Sequence, residues 1–210
     1  MERIKIILLC LVFANVSLLA QSSQWKTKTA DNGKITVSYK ISERTDENGK
    51  KAPLIEDSAV AIESLSLQRC ISLMKDVANH KEFTGDCISK KVKTISDSEW
   101  VVYYFSKNPW PIENSECVAK MTFSQDAAGK TAIFKFSAAP AEMTKGDVKR
   151  VSYMDQTYAF KDLGDGRVEM TATGKSSPAV KVPLLFITSS FPEAPAKTIR
   201  KFINFAKAAS

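Results

Sequence analysis

The residues of this chain that could do chemistry are few and scattered. His80 is the single histidine of 210 residues and stands beside Lys81 at the end of a helical pattern. No Gly-x-Ser-x-Gly context accompanies it, so a surface histidine is a simpler reading than a catalytic base. The carboxylate pairs Asp46/Glu47 and Glu56/Asp57 read as turn residues carrying solvated charge. The nearest approach to a phosphate-cradling loop, GDGR at Gly164 to Arg167, reads as a hairpin turn. Acid or base chemistry in an apolar interior would fall to Tyr103, Tyr158 or Glu169. No CxxC or Cys/His spacing suits a metal. The sequence therefore predicts no catalytic set, no metal and no cofactor, and a protein that is not an enzyme.

The chemistry that remains is burial, and the ends of the chain say where it happens. MERIKIILLCLVFANVSLLA places Arg3 and Lys5 before an apolar run from Ile6 to Phe13 that continues through Leu19, with Ala20 at its exit. That order predicts a secretory signal peptide over residues 1–20, cleaved after Ala20, with a retained membrane anchor as the alternative. The mature chain, residues 21–210, is then exported to the periplasm or extracellular space. Taking the leader's two basic and one acidic residues from 30 and 23 leaves a net charge near +6. The basic residues fall in small separate groups, Lys90, Lys91 and Lys93 and then Lys145, Lys149 and Arg150. This gives no support for nucleic-acid binding and allows transient contact with an anionic membrane surface. Cys70, Cys87 and Cys117 permit at most one internal disulfide, and Cys70 reads as a buried small hydrophobe.

The elements that must do the burying follow from hydrophobic period. KITVSYKIS (Lys34 to Ser42) alternates Ile35, Val37, Tyr39 and Ile41 against polar residues, which predicts a half-buried strand. SAVAIES (Ser58 to Ser64) resumes the alternation with Val60 and Ile62. Leu67, Cys70, Ile71, Met74, Val77 and Ala78 recur at three and four, which predicts a helix from Leu67 to Asn79 capped by Ser66. Strands are predicted over 90–95, 99–105, 118–124, 131–137, 149–154, 156–161 and 167–173. Ile199, Phe202, Ile203 and Ala206 predict a terminal amphipathic helix, and Pro192 and Pro195 predict a break between 191 and 195. One domain of the α+β class, an antiparallel sheet covered by an amphipathic helix, is the economical architecture.

Matching the parities gives inward sets Val101, Tyr103, Phe105; Ala119, Met121, Phe123; Phe134, Phe136; Tyr158, Phe160; and Val168, Met170, Ala172. The strand at 100–105 is apolar on both faces, so its register is open. An aromatic, nearly uncharged face is either a packed core or the wall of a cavity for an apolar ligand, and composition does not choose.

The string EWVVYYFSKNPWPIENSECV, with Pro109, Trp110 and Pro111, resembles the START (StAR-related lipid-transfer) family of the helix-grip, Bet v 1-like superfamily. So do the VSYKIS strand, LMKDVANHKEFTGDC, and the ending VPLLFITSSFPEAPAKTIRKFINFAK. The likeness runs from about Trp25 to Lys207. It implies a helix-grip fold, a curved antiparallel sheet wrapped around a long carboxy-terminal helix that gates a cavity for one lipid, sterol or other apolar molecule. Cavity or rim residues are then expected at Tyr103, Phe105, Trp110, Met121, Phe123, Phe134, Phe136, Tyr158, Met170, Phe191, Ile199 and Phe202. The implied function is non-catalytic lipid binding or transfer by a monomer. A cyclase- or aromatase-like enzyme of the same superfamily, or a filled domain that binds another protein, are the alternatives. Where the family often carries Arg-Asp after the proline-containing break, this chain has Ser115 and Glu116, so no head-group contact from that arginine is implied.

Overall fold

In the computed structural model, which describes residues 24–46 and 48–208, the alternating segments form the strands of one curved sheet. In chain order they are β1 (Lys26–Ala30), β2 (Ile35–Thr45), β3 (Lys51–Glu63), β4 (Ile88–Ser96), β5 (Glu99–Ser106), β6 (Ser115–Gln125), β7 (Thr131–Ala138), β8 (Lys149–Arg150), β9 (Met154–Asp162) and β10 (Val168–Ser176). Among the described residues the order across the sheet is β1-β2-β3-β10-β9-β7-β6-β5-β4, every neighbour antiparallel, and β8 pairs with β6 in parallel. Among the described residues the helices are α1 (Leu67–Lys75), α2 (Lys81–Thr84), α3 (Leu184–Ser189) and α4 (Glu193–Ala208). Short 3-10 turns occupy Val77–Asn79 and Pro140–Glu142. The class is α+β, with the long terminal helix laid on an open antiparallel sheet. The expected leader, residues 1–20, lies outside the described residues.

On β2 the predicted face is the buried one: Ile35, Val37, Tyr39 and Ile41 all point into the core. On β3 the parity is inverted. Ala59 and Ala61 are buried, Val60 is half-buried and Ile62 is 46% exposed. The reason is α4, which lies against β2 and β3: small side chains at 59 and 61 let a helix come close, and hydrophobicity alone does not report that. β3 also begins at Lys51, so Glu56 and Asp57 are strand residues, with Asp57 opposite Tyr39 on one side and Gly174 on the other. β1 has no apolar alternation to announce it, and of the strand expected at 149–154 only Lys149–Arg150 forms.

Ser66 caps α1 as expected, its hydroxyl accepting from Arg69 N at 3.1 Å. The helix ends at Lys75, short of the predicted Asn79, because Asp76 leaves helical geometry and its carboxylate accepts from Asn79 Nδ2 at 2.7 Å. Gly85, at φ 89°, stops α2 in the left-handed region that a side chain disfavours. The predicted break at 191–195 is present: α3 ends at Ser189 and α4 starts at Glu193, immediately after Pro192.

The core joins the sheet's inner face to α1, α2 and α4. Phe202 is its hub, with ring centroids 5.1 Å from Phe83 and 5.3 Å from Phe160. On β5 the inward set is Trp100, Val102 and Tyr104, so the expected placement of Tyr103 and Phe105 is corrected: both belong to the outer face. Part of that outer face is itself buried, Val101 and Val118 completely, which is why β5 reads as apolar on both sides. The 139–150 segment folds back there. Arg150 Nη2 meets Glu116 Oε1 at 2.6 Å, with both side chains about 95% buried (4% and 5% exposed). Its guanidinium also donates to the carbonyls of Pro140, Met143 and Thr144, while Tyr103 Oη donates to Glu116 at 3.2 Å.

Candidate functional site

A cavity of about 320 Å³ opens between the sheet and the α1–α2 segment. It lies where β9 and β6 begin and β5 and β10 end. β3 contributes Asp57, β9 Met154, Gln156 and Tyr158, and β7 Phe136. Tyr104 and Ser106 of β5, Cys117 of β6, and Met74, His80 and Phe83 of the helical segment also belong to the wall. Of the residues expected to line a cavity, Phe136 and Tyr158 do so. Met121, Phe134, Met170, Ile199 and Phe202 are buried in packed core instead. Phe123 is half-buried, 4.8 Å from Phe134 and under the Lys75 ammonium. Phe191 stacks on Tyr39 at 4.7 Å. Trp110, in the loop that leaves Ser106 at the cavity end of β5, is 93% exposed. Thr198 is the only α4 residue in the lining.

The wall is more polar than an uncharged aromatic face. His80 is no surface residue: it is buried, with Nε2 2.9 Å from the Met74 carbonyl and Nδ1 2.8 Å from Tyr104 Oη. A carbonyl only accepts, so Nε2 carries the proton and Nδ1 accepts from the tyrosine. Burial, partly opposed by the Met74 bond, pushes its pKa down to about 4 and keeps the ring neutral. Burial with no compensating partner pushes the Asp57 carboxyl up to about 6. The Tyr104 phenol is raised chiefly by burial, and the Tyr158 phenol by burial and then by the nearby Asp57 and Asp86 carboxylates. The Cys117 thiol, pushed up to about 12 by burial, donates to Met154 Sδ at 3.8 Å and is no nucleophile. Cys70, Cys87 and Cys117 are all free thiols.

Gly174 makes room for Asp57. A Cβ at 174 would stand 2.9 Å from Asp57 Oδ1, so a side chain there would make the carboxylate swing aside from its place against β10. Sequence reading missed Asp57, His80 and Tyr104. The signal for the first was the 57-59-61 alternation, hidden because its inward members are an acid and two alanines.

Solved structures with this architecture identify the fold. A STAR-related lipid transfer protein from Xanthomonas axonopodis superposes with TM-score 0.72 over 87% of this chain and 98% of its own, at 19% identity. The fold is the START-like helix-grip fold. Human StAR-related lipid transfer protein 5 is similar at TM-score 0.68 and 14% identity, covering 93% of each chain. Zhui aromatase/cyclase from Streptomyces sp. R1128 is more distant, at TM-score 0.53 and 8% identity over 73% of this chain and 94% of its own. No protein-family model and no curated protein sequence matches the chain. At these identities the likeness carries the helix-grip architecture, and activity has to be argued from the cavity.

Proposed function

We propose that this protein binds and carries a lipid, sterol or other apolar small molecule, without transforming it. The observation that carries this is the cavity itself, about 320 Å³ walled by Met74, Phe83, Phe136 and Tyr158. That volume lies at the small end of the roughly 300–1,000 Å³ usual for ligand sites, which favours a compact or single-chain ligand. Two of the START-like neighbours are named as lipid transfer proteins, which agrees with it. The reading includes export: a leader cleaved after Ala20 and a monomer working in the periplasm or extracellular space. It also includes transient membrane contact through α3, where Leu184, Leu185 and Phe186 are exposed beside Lys181.

A cyclase- or aromatase-like reading is favoured by one observation, the ionisable groups Asp57, His80, Tyr104 and Tyr158 in a single lining. His80 is a poor base for such work, since both nitrogens are engaged and the ring is held neutral. Tyr103 and Glu169, the other acid and base candidates, are absent from that lining.

Native mass spectrometry of the purified protein, followed by organic extraction, tests the carrier reading. One apolar molecule per chain, recovered chemically unchanged, is the expected result. An empty protein that takes up none of a panel of labelled fatty acids and sterols overturns it.

A further inference from the structure

The hydrogen-bond polarity of the cavity is one-sided. Its hydroxyl and thiol groups have mostly spent their single hydrogens inside the protein. Tyr104 donates to His80 Nδ1, Ser106 to Asp86, Thr84 to the His80 carbonyl at 3.0 Å, Ser177 to the Pro53 carbonyl at 2.8 Å and Cys117 to Met154. What these groups still turn to the cavity is oxygen or sulfur lone pairs. The Gln156 amide donates to Tyr158 Oη at 3.0 Å, which leaves the Tyr158 hydroxyl hydrogen as one of the few donors the lining retains. No arginine is in the lining, and Lys175, its one lysine, is directed to Glu56 at 3.5 Å. The lining carboxylates are Asp57, Asp86 and Asp155, and among the described residues Asp57 and Asp155 have no side-chain hydrogen bond. A chain with net charge +7 thus encloses a cavity rich in acceptors and poor in donors.

A half-buried carboxylate on such a wall, with no side-chain hydrogen bond of its own, favours a ligand that supplies donors. Gly174 opposite it leaves that carboxylate free of a side-chain contact from β10. We propose that the cavity selects an amphiphile whose polar head is a protonated amine, with Asp57 as the residue that binds the head and the Tyr104 oxygen as a second acceptor. The apolar body lies against Phe83, Phe136 and Met74, and aromatic faces beside the head add cation–π attraction. This inference rests on the carrier reading above and specifies its ligand class. The protein's overall positive charge does not favour cations, so selection for an amine would report the site rather than the surface.

Asp57 also gives amine binding a pH dependence. The groups facing it are Tyr39 from β2 and Tyr158 from β9; His80, Tyr104, Asp86, Asp155 and Lys175, whose ammonium turns to Glu56, share the lining. The Tyr104 and Tyr158 phenols are raised and stay neutral, and His80 titrates near 4. Asp57, at about 6, is the group that changes charge between pH 7.5 and 5. Amine binding should weaken as pH falls through that window.

The test is calorimetric titration of the purified protein with decylamine, decanol and decanoate, which share a chain and differ in the head. Decylamine is expected to bind at least about tenfold tighter than either of the others at pH 7.5, the usual worth of a charge-assisted hydrogen bond. Its affinity should fall by about tenfold at pH 5, one unit below the carboxyl's midpoint, while that of decanol is unchanged. Asp57→Asn should erase the preference and the pH effect yet retain decanol binding. Equal binding of amine and alcohol, or an amine preference that survives Asp57→Asn, overturns the inference and leaves the carrier reading standing. Failure of all three amphiphiles to bind overturns the inference too, and the carrier reading is then decided by the labelled fatty acids and sterols.

Discussion

Asp57 and His80 act on stability in opposite directions over one pH range. The Asp57 carboxyl is raised from 3.8 to about 6, so its burial costs nothing below about pH 4. The cost grows as pH rises through 6 and levels off near 3 kcal/mol, roughly what holding a carboxyl two pH units above its ordinary midpoint requires. His80 is depressed from 6.5 to about 4. Its neutral burial is fully stabilising above 6.5 and is lost as pH falls toward 4, because the unfolded chain takes up the proton first. The two nearly cancel in the wild type. Asp57→Asn should therefore gain about 2–3 kcal/mol at pH 7.5, a gain that fades toward pH 4, and should unmask the acid sensitivity due to His80. Urea unfolding across pH 4 to 8 reads this directly, and a gain independent of pH would show that burial of charge is not its source. A carboxylate kept where it weakens the fold is what a ligand contact requires.

Among the elements, α4 is a core helix more than a lid. Ile199, Phe202, Ile203 and Ala206 are buried against the sheet, α1 and α2, and only Thr198 reaches the cavity. Phe202→Ala should cost about 3–5 kcal/mol in chemical denaturation, as for other large aromatic truncations. Any ligand loss should follow the unfolded fraction; loss of binding with unchanged stability would restore the gating role. The 139–150 segment is held by a different device. Glu116 and Arg150 form a buried ion pair whose remaining donors reach three carbonyls, which fixes a long loop on the outer face. Glu116 therefore supports the fold from outside the sheet and has no part in the cavity.

The molecule combines a net positive charge, an acceptor-rich cavity and an exposed apolar helix, α3. Leu185, 73% exposed on α3, has Leu184 and Phe186 beside it, ahead of the Pro192 break that leads into α4. We expect the purified protein to sediment with vesicles containing anionic lipid and not with purely zwitterionic ones. Leu185→Ser should weaken that association several-fold with an unchanged melting temperature, because the side chain supports no core. An effect on melting with none on vesicles would assign α3 to folding.

The α+β class, the positions of most strands, the Ser66 cap and the break before α4 are all legible in the chain. They depend on local period, capping and proline chemistry, which neighbours in the sequence settle among themselves. Which face of β3 and of β5 points inward is a tertiary outcome. Alanines at 59 and 61 are chosen by the closeness of a helix from the other end of the chain, and β5 is covered on both sides. The cavity's chemistry is of the same kind. His80, Tyr104, Asp57 and Gly174 lie on separate elements, and the donors and acceptors that stay free are fixed only when each hydrogen has found its partner across the fold.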